Sequence, residues 1–132
     1  MTHRILVVDD HPLWREGIAA LISIAPDMQL VGACSNGREA IEQFRALRPD
    51  VTLMDLQMPV MSGREAIPAI RGEFPDARLI VLTTTAGDGE VGRAFKAGAS
   101  AFLVKNLAHQ ELLDTIRSVH RGQKVISPRG LE

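Results

Sequence analysis

Ile5-Leu6-Val7-Val8-Asp9-Asp10 is the stretch on which the reading of this chain turns. Four apolar residues in succession, without the polar alternation of a half-exposed strand, call for burial on both faces, as in a parallel sheet. The run then ends abruptly on two carboxylates. Similar runs occur at Val51-Thr52-Leu53-Met54, Leu79-Ile80-Val81-Leu82 and Ala101-Phe102-Leu103-Val104, and a weaker one, Leu30-Val31-Gly32-Ala33, suits a sheet edge. Between them the apolar spacing turns helical. Leu13, Gly17, Leu21 and Ile24 recur with Ile18 and Ile22; Ala40, Ile41, Phe44 and Leu47 repeat the period; Leu112, Leu113, Ile116 and Val119 form the clearest stripe. Pro49 and Pro75 stop helices ahead of the third and fourth strands, and Gly37, Gly98 and Gly122 suit helix boundaries.

Strand and helix alternating five times imply right-handed crossovers and a doubly wound α/β sandwich. Ligands in that architecture bind where strands end at their carboxyl edge. Two segments fit the plan less well. Pro68 removes a backbone donor inside the third helix, which predicts a kink or a shortened helix. The fourth helix follows Gly87 and Gly89 and contains Gly92, and glycine costs about 1 kcal/mol against alanine in a helix interior, so a marginal helix is expected.

A chain of 132 residues suits one domain, and 45% apolar with 23% charged residues is the balance of a globular one. With 15 Lys and Arg against 16 Asp and Glu, there is no positive excess to hold phosphate backbones, which disfavours direct nucleic-acid binding. Cys34 is the single cysteine, so no intrachain disulfide can form, and no Cys/His spacing matches a zinc site. Met1-Thr2-His3-Arg4 leads into a strand rather than a long apolar segment, so a cytoplasmic location without a membrane span is expected.

The chemistry lies in what closes each apolar run. Asp9 and Asp10 follow the first, Asp55 the third, Thr83 the fourth and Lys105 the fifth. In a parallel sheet these ends converge, and three carboxylates together call for a bound cation and for the Lys105 ammonium. Oxygen donors favour Mg²⁺, or Mn²⁺, which bridges carboxylates to phosphate. Asp55, alone on a central strand, is the candidate nucleophile for an acyl phosphate; the cation and Lys105 would neutralise the phosphoryl oxygens, and Thr83 would donate a hydrogen bond to the product. Milder roles suit the neighbours: His11 could contact the site but better suits a loop or cap position, Trp14 suits a partly buried reporter, Cys34 is inert, and the basic residues near Arg117 and His120 complement a helix dipole.

These residues carry a resemblance. Asp9-Asp10, Asp55-Leu-Gln-Met-Pro-Val-Met-Ser-Gly63, Leu82-Thr83 and Lys96-Ala-Gly-Ala-Ser-Ala-Phe-Leu-Val-Lys105 stand in the order and spacing of the receiver domain of two-component response regulators. The opening Asp9-Asp-His-Pro-Leu-Trp-Arg-Glu-Gly17 and the segment Ile126-Ser-Pro128 look like the NarL/FixJ (LuxR-type) branch. The resemblance implies a flavodoxin-like, five-stranded parallel sheet of order 2-1-3-4-5 with helices on both faces. It also implies a sensor histidine kinase as phosphoryl donor to Asp55, and Mg²⁺ held by Asp10, Asp55 and the Gln57 backbone carbonyl with help from Asp9. Thr83 and Phe102 would relay the switch, Gln57 and Thr85 would tune phosphate lifetime, and phosphorylation would promote a homodimer. The domain is expected over residues 1–121, with 122–130 opening a linker toward a helix-turn-helix DNA-binding domain outside the chain; Leu131-Glu132 suits a cloning scar. Asn106 stands where many receivers have Pro, and Phe102 where many have Tyr. A haloacid-dehalogenase-type phosphatase would need Asp-x-Asp after the first strand, and Asp55 is instead followed by Leu-Gln on the third.

Overall fold

A computed structural model describes residues 2–84, 87 and 89–126. Strands β1 (His3–Val8), β2 (Met28–Cys34), β3 (Val51–Met54), β4 (Leu79–Thr83), β5 (Ala101–Val104) and β6 (Val125–Ile126) alternate with helices α1 (Pro12–Ser23), α2 (Gly37–Leu47), α3 (Gly63–Glu73), α4 (Glu90–Ala97) and α5 (His109–His120). All strand pairs are parallel, in the order β2-β1-β3-β4-β5-β6. The flavodoxin-like order 2-1-3-4-5 is therefore present. A sixth strand extends it, because Val125 and Ile126, in the stretch expected to begin a linker, pair with Ala101 and Phe102.

The unbroken apolar runs are explained by a sheet covered on both sides. Alternate side chains, Ile5, Val7, Leu53, Ile80, Leu82 and Leu103, pack against α1 and α5. Their neighbours Leu6, Val8, Met54, Leu79, Val81 and Phe102 pack against α2, α3 and α4. At about 25 cal/mol per Å² of apolar surface, this two-sided burial is the main drive to fold. It also leaves polar side chains only one place to gather, the rims where strands end.

Helix starts follow local chemistry. The Asn36 side chain accepts from the Glu39 backbone N–H at the head of α2, and Ser62 and Glu65 form a reciprocal capping box at the head of α3. Gly63 is needed there for space, since a Cβ would lie 2.0 Å from the Asp55 carbonyl oxygen. The β3–α3 turn thus closes directly onto the backbone of Asp55.

Two expectations need correction. The shortening expected at Pro68 does not occur, since α3 runs eleven residues through it. Pro68 and Arg64 both lie on the exposed face, so water can satisfy the carbonyl that proline leaves unpaired. In α1 the inward stripe is Ile18, Leu21, Ile22 and, just past the helix, Ala25; Leu13 is 82% exposed and Ile24 76% exposed, and Gly17 also faces out. The period was legible, but several small and apolar residues on both faces hid its phase. The short α4 has eight residues, and its first turn is tied to α3 by an Arg64–Glu90 ion pair and by Gly87 N–H donating to Glu90 Oε2 at 2.9 Å.

At the amino edge of the sheet the ends of β1 and α5 meet through a hydrogen bond between the Nδ1 atoms of His3 and His120. The outer nitrogens face carboxylates, His3 Nε2 at 3.5 Å from Asp27 and His120 Nε2 at 3.8 Å from Asp50. Asp27 is also gripped by Arg117 at 2.8 and 3.0 Å, which holds its carboxyl down at about 2. Burial and the neighbouring His120 lower the His3 pKa from its ordinary 6.5, although Asp27 pulls the other way. Unfolded chain therefore binds more protons than folded chain as pH drops below 6.5, so stability is lost on acidification in that window. The Asp27–Arg117 pair persists there, since its contribution fades only between the ordinary carboxyl pKa and about 2. Thermal melting at pH 7.5 and 5.5 should show a fall in midpoint that is smaller in His3→Gln; an equal fall in both would remove His3 from the account.

Candidate functional site

Asp9 and Asp10 lie just beyond β1, Asp55 just beyond β3, Thr83 at the end of β4 and Lys105 just beyond β5. Parallel pairing of β1 with β3, β3 with β4 and β4 with β5 brings all five to the carboxyl rim. Asp55 N–H donates to the Val8 carbonyl at 3.0 Å and Lys105 N–H to the Thr83 carbonyl at 2.7 Å, so backbone ladders aim both residues. The Lys105 ammonium stands 2.5 Å from Asp9 Oδ2 and 3.2 Å from Asp55 Oδ2. Asp9 and Asp55 are almost wholly enclosed, their side chains 2% and 4% exposed.

Burial pushes the Asp55 carboxyl pKa up; Lys105 opposes that shift and Asp9 adds to it. The Gln57 backbone N–H lies 3.4 Å from Asp55 Oδ1, at the long limit of a hydrogen bond. Asp10 Oδ1 is shut from solvent and accepts no hydrogen bond. A sequestered carboxylate oxygen without a donor, beside two further carboxylates, is what a hard divalent cation would satisfy, so the donor set fits Mg²⁺. A polar cleft of about 480 Å³ opens over these groups, with Asp10, His11, Asp55, Gln57, Thr83 and Thr84 in its walls. Another concavity, about 470 Å³ between α1 and α5, is lined by Trp14, Leu21, Ile24, Leu107 and Leu112 and presents little that could act on phosphate.

Phe102 is wholly buried on the side of the sheet that faces α3 and α4. Thr85 lies outside the described residues. Two neighbours that carried little weight in the sequence stand close to the site. His11, read as a loop or cap residue, makes no side-chain cap on α1; its Nδ1 instead lies 2.7 Å from Asp9 Oδ1 and 3.3 Å from Asp10 Oδ1. Trp14 presents its ring to Lys105 Nζ, 5.0 Å from the ring centre. Adjacency to Asp9-Asp10 was the available signal for His11, and nothing local signalled Trp14. Cys34 is buried, which pushes its thiol up to about 12 and suits the inert reading.

With this geometry in hand, the model of the response regulator receiver domain matches residues 5–117. The chain belongs to that family. It is 38% identical over 123 residues to the nitrate/nitrite response regulator protein NarL of Escherichia coli K12, covering 93% of this chain and 57% of that protein. It is 37% identical over 131 residues to the response regulator protein VraR of Staphylococcus aureus, covering 99% of this chain and 63% of that one. The crystal structure of a LuxR-family two-component response regulator from Aurantimonas sp. SI85-9A1 superposes with a TM-score of 0.94 at 35% identity, covering 99% of this chain and 94% of that chain. The signal receiver domain of the putative NarL of Mycobacterium tuberculosis gives 0.87 at 32% identity, with 92% and 98% covered. This chain is thus a receiver of the NarL/LuxR type, a signalling domain, and it spans about three-fifths of the curated relatives' length.

Two enclosed carboxylates, with the half-buried Asp10 beside them, stand against one ammonium and leave the receiver's site short of positive charge. Because the Asp55 pKa is raised, ionising it at neutral pH opposes folding. Asp55→Asn should therefore raise the metal-free melting midpoint at pH 7, with the gain shrinking as pH falls through the raised pKa of the folded carboxyl toward the ordinary 3.8 of the unfolded chain. Calorimetric melting of both proteins across that range measures it; a lower midpoint in the variant at pH 7 would contradict the charge assignment.

Proposed function

We propose that this receiver stores a signal as an acyl phosphate on Asp55, taken from the phosphohistidine of a sensor histidine kinase. The observation that carries the reading is the placement of Lys105 Nζ 3.2 Å from Asp55 Oδ2, a carboxylate that lines a cleft together with Asp10 and Thr83. An Asp55 oxygen attacks phosphorus; the donor's P–N bond breaks, and its electron pair returns to the imidazole, which takes up a proton. Lys105 neutralises charge on the incoming oxygens, while the backbone bonds from Val8 and Thr83 hold nucleophile and ammonium in register. Asp10, Asp55 and Asp9, with the Gln57 carbonyl, would hold Mg²⁺ or Mn²⁺, which supplies charge neutralisation on the transferring phosphoryl group.

Phosphorylation adds strong acceptor oxygens beside Thr83, at the end of β4 and ahead of α4. Thr83 closing on the phosphate, with Phe102 repacking beneath, would shift α4 and switch a homodimer. The output in this reading is a DNA-binding transcriptional domain outside this chain, since the relatives it matches are considerably longer. Gln57 and Thr85 would set phosphate lifetime. A cytoplasmic location is part of the proposal, as a histidine kinase donor requires; among the described residues no helix is long and apolar enough to cross a membrane.

Incubation with acetyl phosphate and Mg²⁺ should add one phosphoryl group to the wild type and none to Asp55→Asn, read by intact mass. Equal labelling of the two proteins would move the acceptor elsewhere.

A further inference from the structure

His11 stands where neither helix capping nor packing accounts for it. It is the N-cap residue of α1, yet its side chain makes no capping hydrogen bond, and the side chain is 60% exposed. Its backbone is anchored, with the His11 N–H donating to Asp9 Oδ1 at 2.9 Å. From that anchor Nδ1 reaches three carboxylates, 2.7 Å from Asp9 Oδ1, 3.3 Å from Asp10 Oδ1 and 4.0 Å from Asp55 Oδ2. One donor atom from each of these four residues falls within 4.8 Å of all the others.

Those separations have a physical meaning. Six donors about 2.1 Å from one ion lie about 3.0 Å from adjacent donors and about 4.2 Å from opposite ones. The distances from His11 Nδ1 span that range, so little movement is needed to gather the four groups around one ion. Asp10 Oδ1, enclosed and without a hydrogen bond, faces the same space. Magnesium takes oxygen donors and gains nothing from an imidazole, whereas Co²⁺, Ni²⁺ and Zn²⁺ bind imidazole nitrogen well.

We propose that His11 makes the carboxylate pocket a mixed nitrogen and oxygen site that selects borderline transition-metal ions over Mg²⁺ by direct Nδ1 coordination. The inference rests on the reading of this pocket as the receiver's cation site and adds to it a residue and a class of ion. Ni²⁺ or Zn²⁺ seated through His11 would occupy the position that phosphorylation requires of Mg²⁺, so the receiver would respond to transition metals as well as to its kinase. In this arrangement Nδ1–H donates to Asp9 Oδ1, so coordination through Nδ1 requires the ring to take its other neutral tautomer, with the proton on Nε2. The exposed ring can leave its hydrogen bond to Asp9 without opening the core.

The test is calorimetric titration of the whole chain with Ni²⁺ and, separately, Mg²⁺, in wild type, His11→Ala, His11→Asn and Asp10→Asn. His11→Asn keeps a polar group of similar reach, and melting curves confirm that each variant is folded. In both His11 variants Ni²⁺ affinity should fall at least about tenfold, the loss seen when even an outer-shell partner of a metal ligand is removed, while Mg²⁺ affinity stays within about twofold. Asp10→Asn should weaken both ions, which separates this pocket from His3, His109 and His120 as nickel sites. Unchanged Ni²⁺ affinity in the His11 variants, a proportional loss for both ions, or His11-dependent binding that survives Asp10→Asn would each overturn the proposal. Wild type that binds Ni²⁺ through His11 but never Mg²⁺ would support it while refuting the magnesium reading above.

Discussion

The ammonium of Lys105 between the carboxylates of Asp9 and Asp55 is the interaction around which this molecule is organised. Enclosing two carboxylates and one ammonium is not a route to stability, because desolvation offsets most of the attraction between them. Removing one partner, however, strands charge in a place that water hardly reaches. The arrangement persists because three buried strands hold its members from behind. It remains unbalanced, with the Asp10 Oδ1 atom still lacking a hydrogen bond, and an excess of negative charge of that kind favours a cation.

The sheet makes this possible by leaving nothing else to chance. Both faces of β1, β3, β4 and β5 are spent on the core, so strand register alone sets where each chain end emerges. Val8 and Thr83 carbonyls align Asp55 and Lys105, and Gly63 lets α3 begin against the Asp55 backbone itself. Trp14 on α1 and the Arg64–Glu90 pair between α3 and α4 connect the rim to opposite flanks of the domain.

Much of this was legible in the chain. Unbroken runs such as Ile5–Val8 announced two-sided burial, and the residue closing each run identified the rim because parallel strands end together. Less was legible where a feature depends on three dimensions. Phase in α1 was obscured by outward-facing Leu13 and Ile24, which obey the helical period without belonging to the core. Pro68 misled because its cost depends on whether water reaches the freed carbonyl. Val125–Ile126 is too short to show strand periodicity and pairs only because β5 offers an open edge. His11 was signalled only by its adjacency to Asp9-Asp10, and Trp14 by nothing local, because both meet a charge cluster assembled from distant strands.

Beryllofluoride, which mimics a phosphoryl group on a carboxylate, tests the central claim most directly. A crystal structure of the receiver grown with it and Mg²⁺ should show beryllium bonded to an Asp55 carboxylate oxygen, with Lys105 and Thr83 contacting fluorine atoms and the cation against Asp10. Beryllofluoride seated on another residue, or bound at the rim without Asp55, would contradict the account.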